Sequence, residues 1–203
     1  MAGLLVAAGV VAVADWVCVA RRPCRAEVVL KPLVLVLLVG AALAADADSG
    51  AQQAAFVVAL VLSLAGDVFL LPQVDRFVPG LASFLLAHVA YVVGFWTHDE
   101  GGLLWLAVLV VPALGAVAGR VTRAVRASEP ELVVPVAIYI AVIAAMIVSA
   151  LAFGDGVAIA GALLFGTSDS ILAIGRFARA PRWAPVAVMI TYHLAQGLLV
   201  ASL

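Results

Sequence analysis

Eight apolar runs, each long enough to cross a lipid bilayer as a helix, fill nearly the whole chain, at about residues 3–20, 30–45, 51–71, 80–97, 103–119, 131–152, 156–175 and 184–203. About 17 to 25 apolar residues match the thickness of the hydrocarbon layer. Inside that layer the backbone must satisfy its own hydrogen bonds, so such runs can only be helices. The breaks between them, "RRPCR", "DADSG", "PQVDRFVPG", "THDEGG", "RVTRAVRASEPE", "FGDG" and "RFARAPRWAP", combine charge with Pro, Gly or Ser. The expected fold is therefore all-α: a polytopic membrane protein of eight transmembrane helices in a single transmembrane domain spanning 1–203. Only 11% of the residues are charged, against about 25% in a soluble domain.

Charge sets the expected orientation. All 11 Lys and Arg residues lie in or beside alternate connections, at 21–31, Arg76, 120–126 and 176–182. The other three connections hold no basic residue and five acids, Asp46, Asp48, Asp99, Glu100 and Asp155. Basic connections face the cytoplasm, which predicts a protein of the cell (inner or plasma) membrane with both termini outside. The first run differs from a signal peptide because its positive charges, Arg21, Arg22 and Arg25, follow the apolar stretch instead of preceding it; it reads as a retained first span. Cys18 and Cys24 suit neither a disulfide scaffold nor a zinc motif. A net charge of −1 leaves no nucleic-acid footprint. "GDVFL" and "SDSIL" in the third and seventh runs, with "HVAY" and "HLAQ" in the fourth and eighth, predict a parallel repeat of two four-helix halves.

Few ionisable groups lie well inside the apolar runs: Asp15, Asp67, His88, Asp169 and His193. Tyr91, Tyr139, Ser168, Ser170, Tyr192 and Gln196 add polarity there, and Lys31 stands at a helix entrance. A carboxylate at mid-membrane costs about 2.5 to 3.5 kcal/mol on insertion scales, so intramembrane acids are functional candidates by default. Asp67 and Asp169 fall about four to six residues before the cytoplasmic ends of their runs, or roughly 6 to 9 Å. His88, Tyr139 and Tyr192 lie about eight or nine residues in from the same side, roughly 12 to 14 Å. These depths predict a polar layer in the cytoplasmic half. His88 and Tyr91, Ser63 and Asp67, and Tyr192 and Gln196 each share a helix face, which turns the layer inward as a pocket. Thr167, Ser168 and Ser170 fit interhelical hydrogen bonding, with Ser168 and Ser170 also placed to hold the Asp169 carboxylate. Asp15, near the interface, is placed to snorkel or to pair with Arg21 or Arg22.

No serine-hydrolase elbow, HExxH, Walker or dinucleotide motif is present. Two carboxylates in different environments can divide labour, one as general acid and the other ionised to stabilise a cation or activate water. At these residues the chain resembles the YhhN-type lysoplasmalogenase family of eight-helix membrane proteins. The resemblance rests on "KPL" (31–33), "LAGDVFLL" (64–71), "GLASFLLAHVAYVVGF" (80–95), "GALLFGTSDSILA" (161–173) and "TYHLAQGLLVAS" (191–202), in that order. His193 departs from it, standing where an aromatic residue is more usual. The resemblance implies hydrolysis of the vinyl ether bond of lysoplasmalogens to a fatty aldehyde and glycerophosphoethanolamine or glycerophosphocholine. It implies neither cofactor nor metal, a lysophospholipid drawn from the membrane as the partner, and no protein partner. The catalytic candidates are Asp67, Asp169 and His88. The candidates for binding substrate are Lys31, Tyr91, Tyr139, Ser168, Tyr192 and Gln196. Three other readings compete: a metal-dependent lipid hydrolase using Asp67, His88, Asp169 and His193 as ligands, a proton-coupled transporter, and a structural membrane protein.

Overall fold

The structure, a computed structural model, describes residues 1–21, 24–97, 102–178 and 181–203. Arg22, Asp99, Glu100 and Arg179, which entered the charge argument, lie outside the described residues. Among the described residues there are eight α-helices and no strand: α1 (Ala2–Ala20), α2 (Glu27–Leu43), α3 (Gly50–Phe69), α4 (Phe77–Phe95), α5 (Ala107–Ser128), α6 (Val133–Phe153), α7 (Gly156–Phe177) and α8 (Ala184–Ala201). Single 3₁₀ turns, Leu104–Leu106 and Pro130–Leu132, lead into α5 and α6.

Local chemistry marks the helix ends. The backbone N–H of Gln52 donates to Ser49 Oγ at the start of α3 (3.3 Å), and that of Ala158 to Asp155 Oδ1 at the start of α7 (2.7 Å). Each cap supplies an acceptor to a first-turn donor that has no partner within its own helix. Gly154 stops α6 in the left-handed region, with φ of 92°. Among the described residues seven helices are long and apolar enough to cross a membrane, and the chain is an integral membrane protein. The eighth, α2, has 17 residues, about 25 Å of helix, and its first two turns carry Glu27 and Lys31. The apolar run predicted to end near residue 119 continues as helix to Ser128. Arg120, Arg123 and Arg126 recur there every third residue on the exposed side, while Val121 and Val125 are buried on the other.

The most extensive packing joins neighbours in sequence, α3 with α4 and α7 with α8. Small residues allow it: a Cβ on Gly66 would lie 2.6 Å from the Phe84 ring, and one on Gly161 3.2 Å from the Ala195 carbonyl. Helix α8 also touches α1, α2 and α3, α4 packs on α6, and α5 leans chiefly on α6 and α7. At the centre the Phe165 ring meets His88 (4.4 Å between centroids), Tyr192 (5.5 Å) and Phe84 (6.3 Å).

One expectation is corrected. Cys18 and Cys24 are joined by a disulfide with Cα atoms 5.4 Å apart. Their spacing gave no reason to pair them, but α1 ends at Ala20 and the chain doubles back within reach.

Candidate active site

A cavity of about 370 Å³ opens at the end of the bundle that carries the arginine-rich connections. Asp67 and Asp169 both line it, with Lys31, Ser168 and Tyr192. Asp67 stands two residues before the end of α3, and Asp169 eight before the end of α7. They are therefore less level along their helices than the sequence suggested, yet they share one space.

The two carboxylates are held differently. Lys31 Nζ lies 3.3 Å from Asp67 Oδ1, and the Tyr192 hydroxyl donates to Asp67 Oδ2 at 2.9 Å. Asp67 thus has an ammonium and a phenol, from α2 and α8. The Tyr139 hydroxyl donates to Asp169 Oδ2 at 2.7 Å, and His88 Nε2 lies 3.3 Å from the same oxygen. Asp169 thus has a phenol and an imidazole, from α6 and α4.

The imidazole contact fixes where a proton belongs. His88 Nδ1 lies 2.6 Å from the Phe84 carbonyl oxygen. A carbonyl only accepts, so Nδ1 carries a hydrogen and Nε2 of the neutral ring presents a lone pair. Two bare acceptors repel, so the Asp169–His88 contact is favourable only with a proton on one of the two groups. His88 is itself wholly buried behind the cavity wall.

Beside this cavity runs a narrower apolar one of about 60 Å³, between α4, α5, α6 and α7. Leu70, Phe77, Phe84, Leu172 and Asp169 belong to the walls of both spaces. Asp169 therefore stands at their junction, whereas Asp67 faces the polar cavity alone.

The remaining candidates take distinct positions. Ser168 is on the cavity wall and donates to the Val188 carbonyl at 3.2 Å, tying α7 to α8. Tyr91 and Gln196 line neither space; the Tyr91 hydroxyl donates to Gln196 Oε1 at 2.5 Å, about a turn beyond His88 and Tyr192 on α4 and α8. Trp16 Nε1 donates to His193 Nδ1 at 3.0 Å, so His193 joins α8 to α1. Asp15 is wholly buried and does not snorkel.

The sequence reading passed over three charged residues on the cavity wall, Glu27, Asp75 and Arg176. Glu27 had a signal, since it precedes Lys31 by one turn on the same face of α2. Asp75 adopts a φ of 46°, and Asp is one of the few residues other than Gly that visits this region readily. Arg176 pairs with Glu129 at 2.7 Å and lies over the rings of Phe77 and Phe177, beside the apolar space. Among the described residues no three His, Cys, Asp or Glu side chains gather as a metal-ligand set.

An all-helical integral membrane protein with two differently partnered carboxylates on one cavity is a defined class, and comparison with known proteins narrows it. Residues 26–203 match the YhhN family, and the chain belongs to that family. It is 40% identical over 146 residues to Homo sapiens "Lysoplasmalogenase TMEM86B", covering 71% of this chain and 61% of that one. It is 33% identical over 187 residues to a Mycobacterium bovis protein named "Lysoplasmalogenase", covering 85% and 68%. With the Sus scrofa "Lysoplasmalogenase TMEM86B" it is 34% identical over 183 residues, covering 89% and 76%. The chain thus spans about three fifths of the human relative's length. No solved structure matches it.

Proposed function

We propose that this protein is an ether hydrolase that cleaves the vinyl ether bond of a lysoplasmalogen, releasing a fatty aldehyde and glycerophosphoethanolamine or glycerophosphocholine. The observation that carries this reading is the pair Asp67 and Asp169 on one cavity with unlike partners. The relatives named lysoplasmalogenase support the choice of bond.

A vinyl ether reacts by taking a proton on the alkenyl carbon farther from oxygen, on the hydrocarbon side of the ether. Asp169, at the junction with the apolar space and sharing a proton with His88, is the group suited to give it. The oxocarbenium ion that forms faces two acidic side chains. Water adds to the cationic carbon and passes a proton to Asp67. The hemiacetal then collapses: Asp67 returns that proton to the glycerol oxygen as the carbon–oxygen bond breaks, and the hemiacetal hydroxyl proton goes to Asp169. One water is consumed and both carboxyl groups regain their starting protons. Tyr139 and Tyr192 hold the carboxylates in place, and Tyr91 with Gln196 props the helices behind them. Lys31 is placed to meet the headgroup phosphate as well as Asp67, and Ser168 shapes the wall where the glycerol lies.

The proposal carries the whole arrangement expected from the sequence: one transmembrane domain over 1–203, eight spans including the short α2, both termini outside and a cavity facing the cytoplasmic half of the cell membrane. The substrate reaches the site from that leaflet. The test is turnover by the purified protein in phospholipid vesicles given lysoplasmenylethanolamine or its acyl-ester counterpart. Aldehyde from the vinyl ether, with no fatty acid from the ester, is the expected result. Release of fatty acid alone, or of neither product, would overturn the reading.

A further inference from the structure

We infer that the apolar space between α4, α5, α6 and α7 seats the substrate's hydrocarbon chain from just beyond its third carbon, and that the α5 wall decides which chains are hydrolysed. The inference rests on the proposed hydrolase reading and extends it to the α5 wall, to which that reading gives no role.

Three observations carry it. The space joins the polar cavity through Asp169, Leu70, Phe77, Phe84 and Leu172, so a molecule bridging both must pass the proposed acid. Its lining is apolar apart from Tyr139, Asp169 and Ser170; both hydroxyls are already committed, Tyr139 to Asp169 and Ser170 to the Gly166 carbonyl at 2.6 Å. That leaves little for a polar ligand to bind and suits methylenes. The far wall is α5, which leans chiefly on α6 and α7; of its lining residues Val121 is buried, while Leu114, Val117 and Ala118 are half-buried. A chain can thus run past α5 into the bilayer and does not need to fit within about 60 Å³.

The occupant is one hydrocarbon chain of a lipid whose headgroup lies in the adjoining cavity. Charge agrees with that division: Lys31 and Arg176 line the polar space, and among the described residues no basic one lines the apolar space. A chain leaving the bilayer for this space exchanges one hydrocarbon environment for another, so little affinity is gained. What is gained is position, since seating the chain sets the alkenyl carbon against Asp169. A displacement of about 1 Å in such a geometry can cost about 10²-fold in rate.

The test fills the space from opposite walls with Ala118→Phe on α5 and Ala173→Phe on α7. Turnover is measured in vesicles on lysoplasmenylethanolamines with long chains and on an analogue whose alkenyl group is only three carbons long. Both variants should lose about 10²-fold in kcat on long chains and keep near wild-type turnover of the short analogue, which also reports that they are folded. Ala116→Phe, on the exposed side of α5, should leave both substrates unaffected. Undiminished long-chain turnover in both filled variants, or equal loss on long and short substrates in both, would overturn the inference.

A second readout does not require hydrolysis. A saturated alkyl-ether lysophospholipid with a photoreactive group on an early chain carbon should crosslink to α5 or α6 in the wild type, and less in Ala118→Phe. Crosslinking elsewhere overturns the chain seat even if hydrolysis occurs; crosslinking to α5 without hydrolysis keeps the seat and removes the hydrolase reading.

Discussion

Asp67 and Asp169 were visible in the sequence as charges stranded in apolar runs, where a carboxylate is costly, and the structure places both on one cavity. What each of them touches was not visible. That Lys31 reaches Asp67, while Tyr139 and His88 reach the same oxygen of Asp169, depends on how the helices lean on one another. A 3.6-residue period gives the face a side chain occupies but not its neighbour across the gap. The same limit hid Trp16 and His193, which lie 177 positions apart and meet through one hydrogen bond. That bond gives a prediction. Trp16→Phe leaves His193 Nδ1 with no donor and should cost about 1 to 3 kcal/mol of stability. Adding His193→Phe, which removes both polar partners, should recover most of the loss. Thermal unfolding in detergent checks it: a double variant no more stable than Trp16→Phe would contradict the account, and aldehyde release should stay near wild type in both.

At the scale of helices, the polar partners follow an order. Asp67 on α3 is reached from α2 and α8; Asp169 on α7 is reached from α6 and α4. Stepping four helices along the chain carries the first set onto the second. This is the arrangement that the proposed parallel repeat, inferred from "GDVFL" and "SDSIL", would produce, with each half lending a side chain to the other's carboxylate. The apolar runs made an all-helical chain legible because burial in lipid leaves few alternatives. The length of α5 and the pairing of Cys18 with Cys24 were less legible, since an amphipathic extension and a chain reversal leave weak signals in hydropathy. Helix orientation is testable directly. In a protein with Cys18 and Cys24 replaced by Ser, a membrane-impermeant thiol reagent added from outside intact cells should label Gly156→Cys, at the exposed start of α7. It should not label Arg123→Cys near the end of α5. The reverse pattern would invert the proposed topology.

Across the whole molecule, the packing divides the work. The close pairs α3 with α4 and α7 with α8 fix the two aspartates, α6 and α2 bring their partners, and α5 stands apart as one wall of the apolar space. A polar cavity meeting an apolar space at one carboxyl group is suited to a lipid that is polar at one end and must be cut where the two ends join. In the proposed mechanism neither aspartate does that work alone, because the proton given to carbon and the proton taken from water pass through different groups. The most direct measurement is aldehyde release from lysoplasmenylethanolamine by Asp67→Asn and Asp169→Asn, each compared with wild type alongside its thermal unfolding. The account predicts that each variant stays folded and loses about 10²- to 10⁴-fold in kcat, the span of a general acid or base. Wild-type turnover in either variant would contradict it.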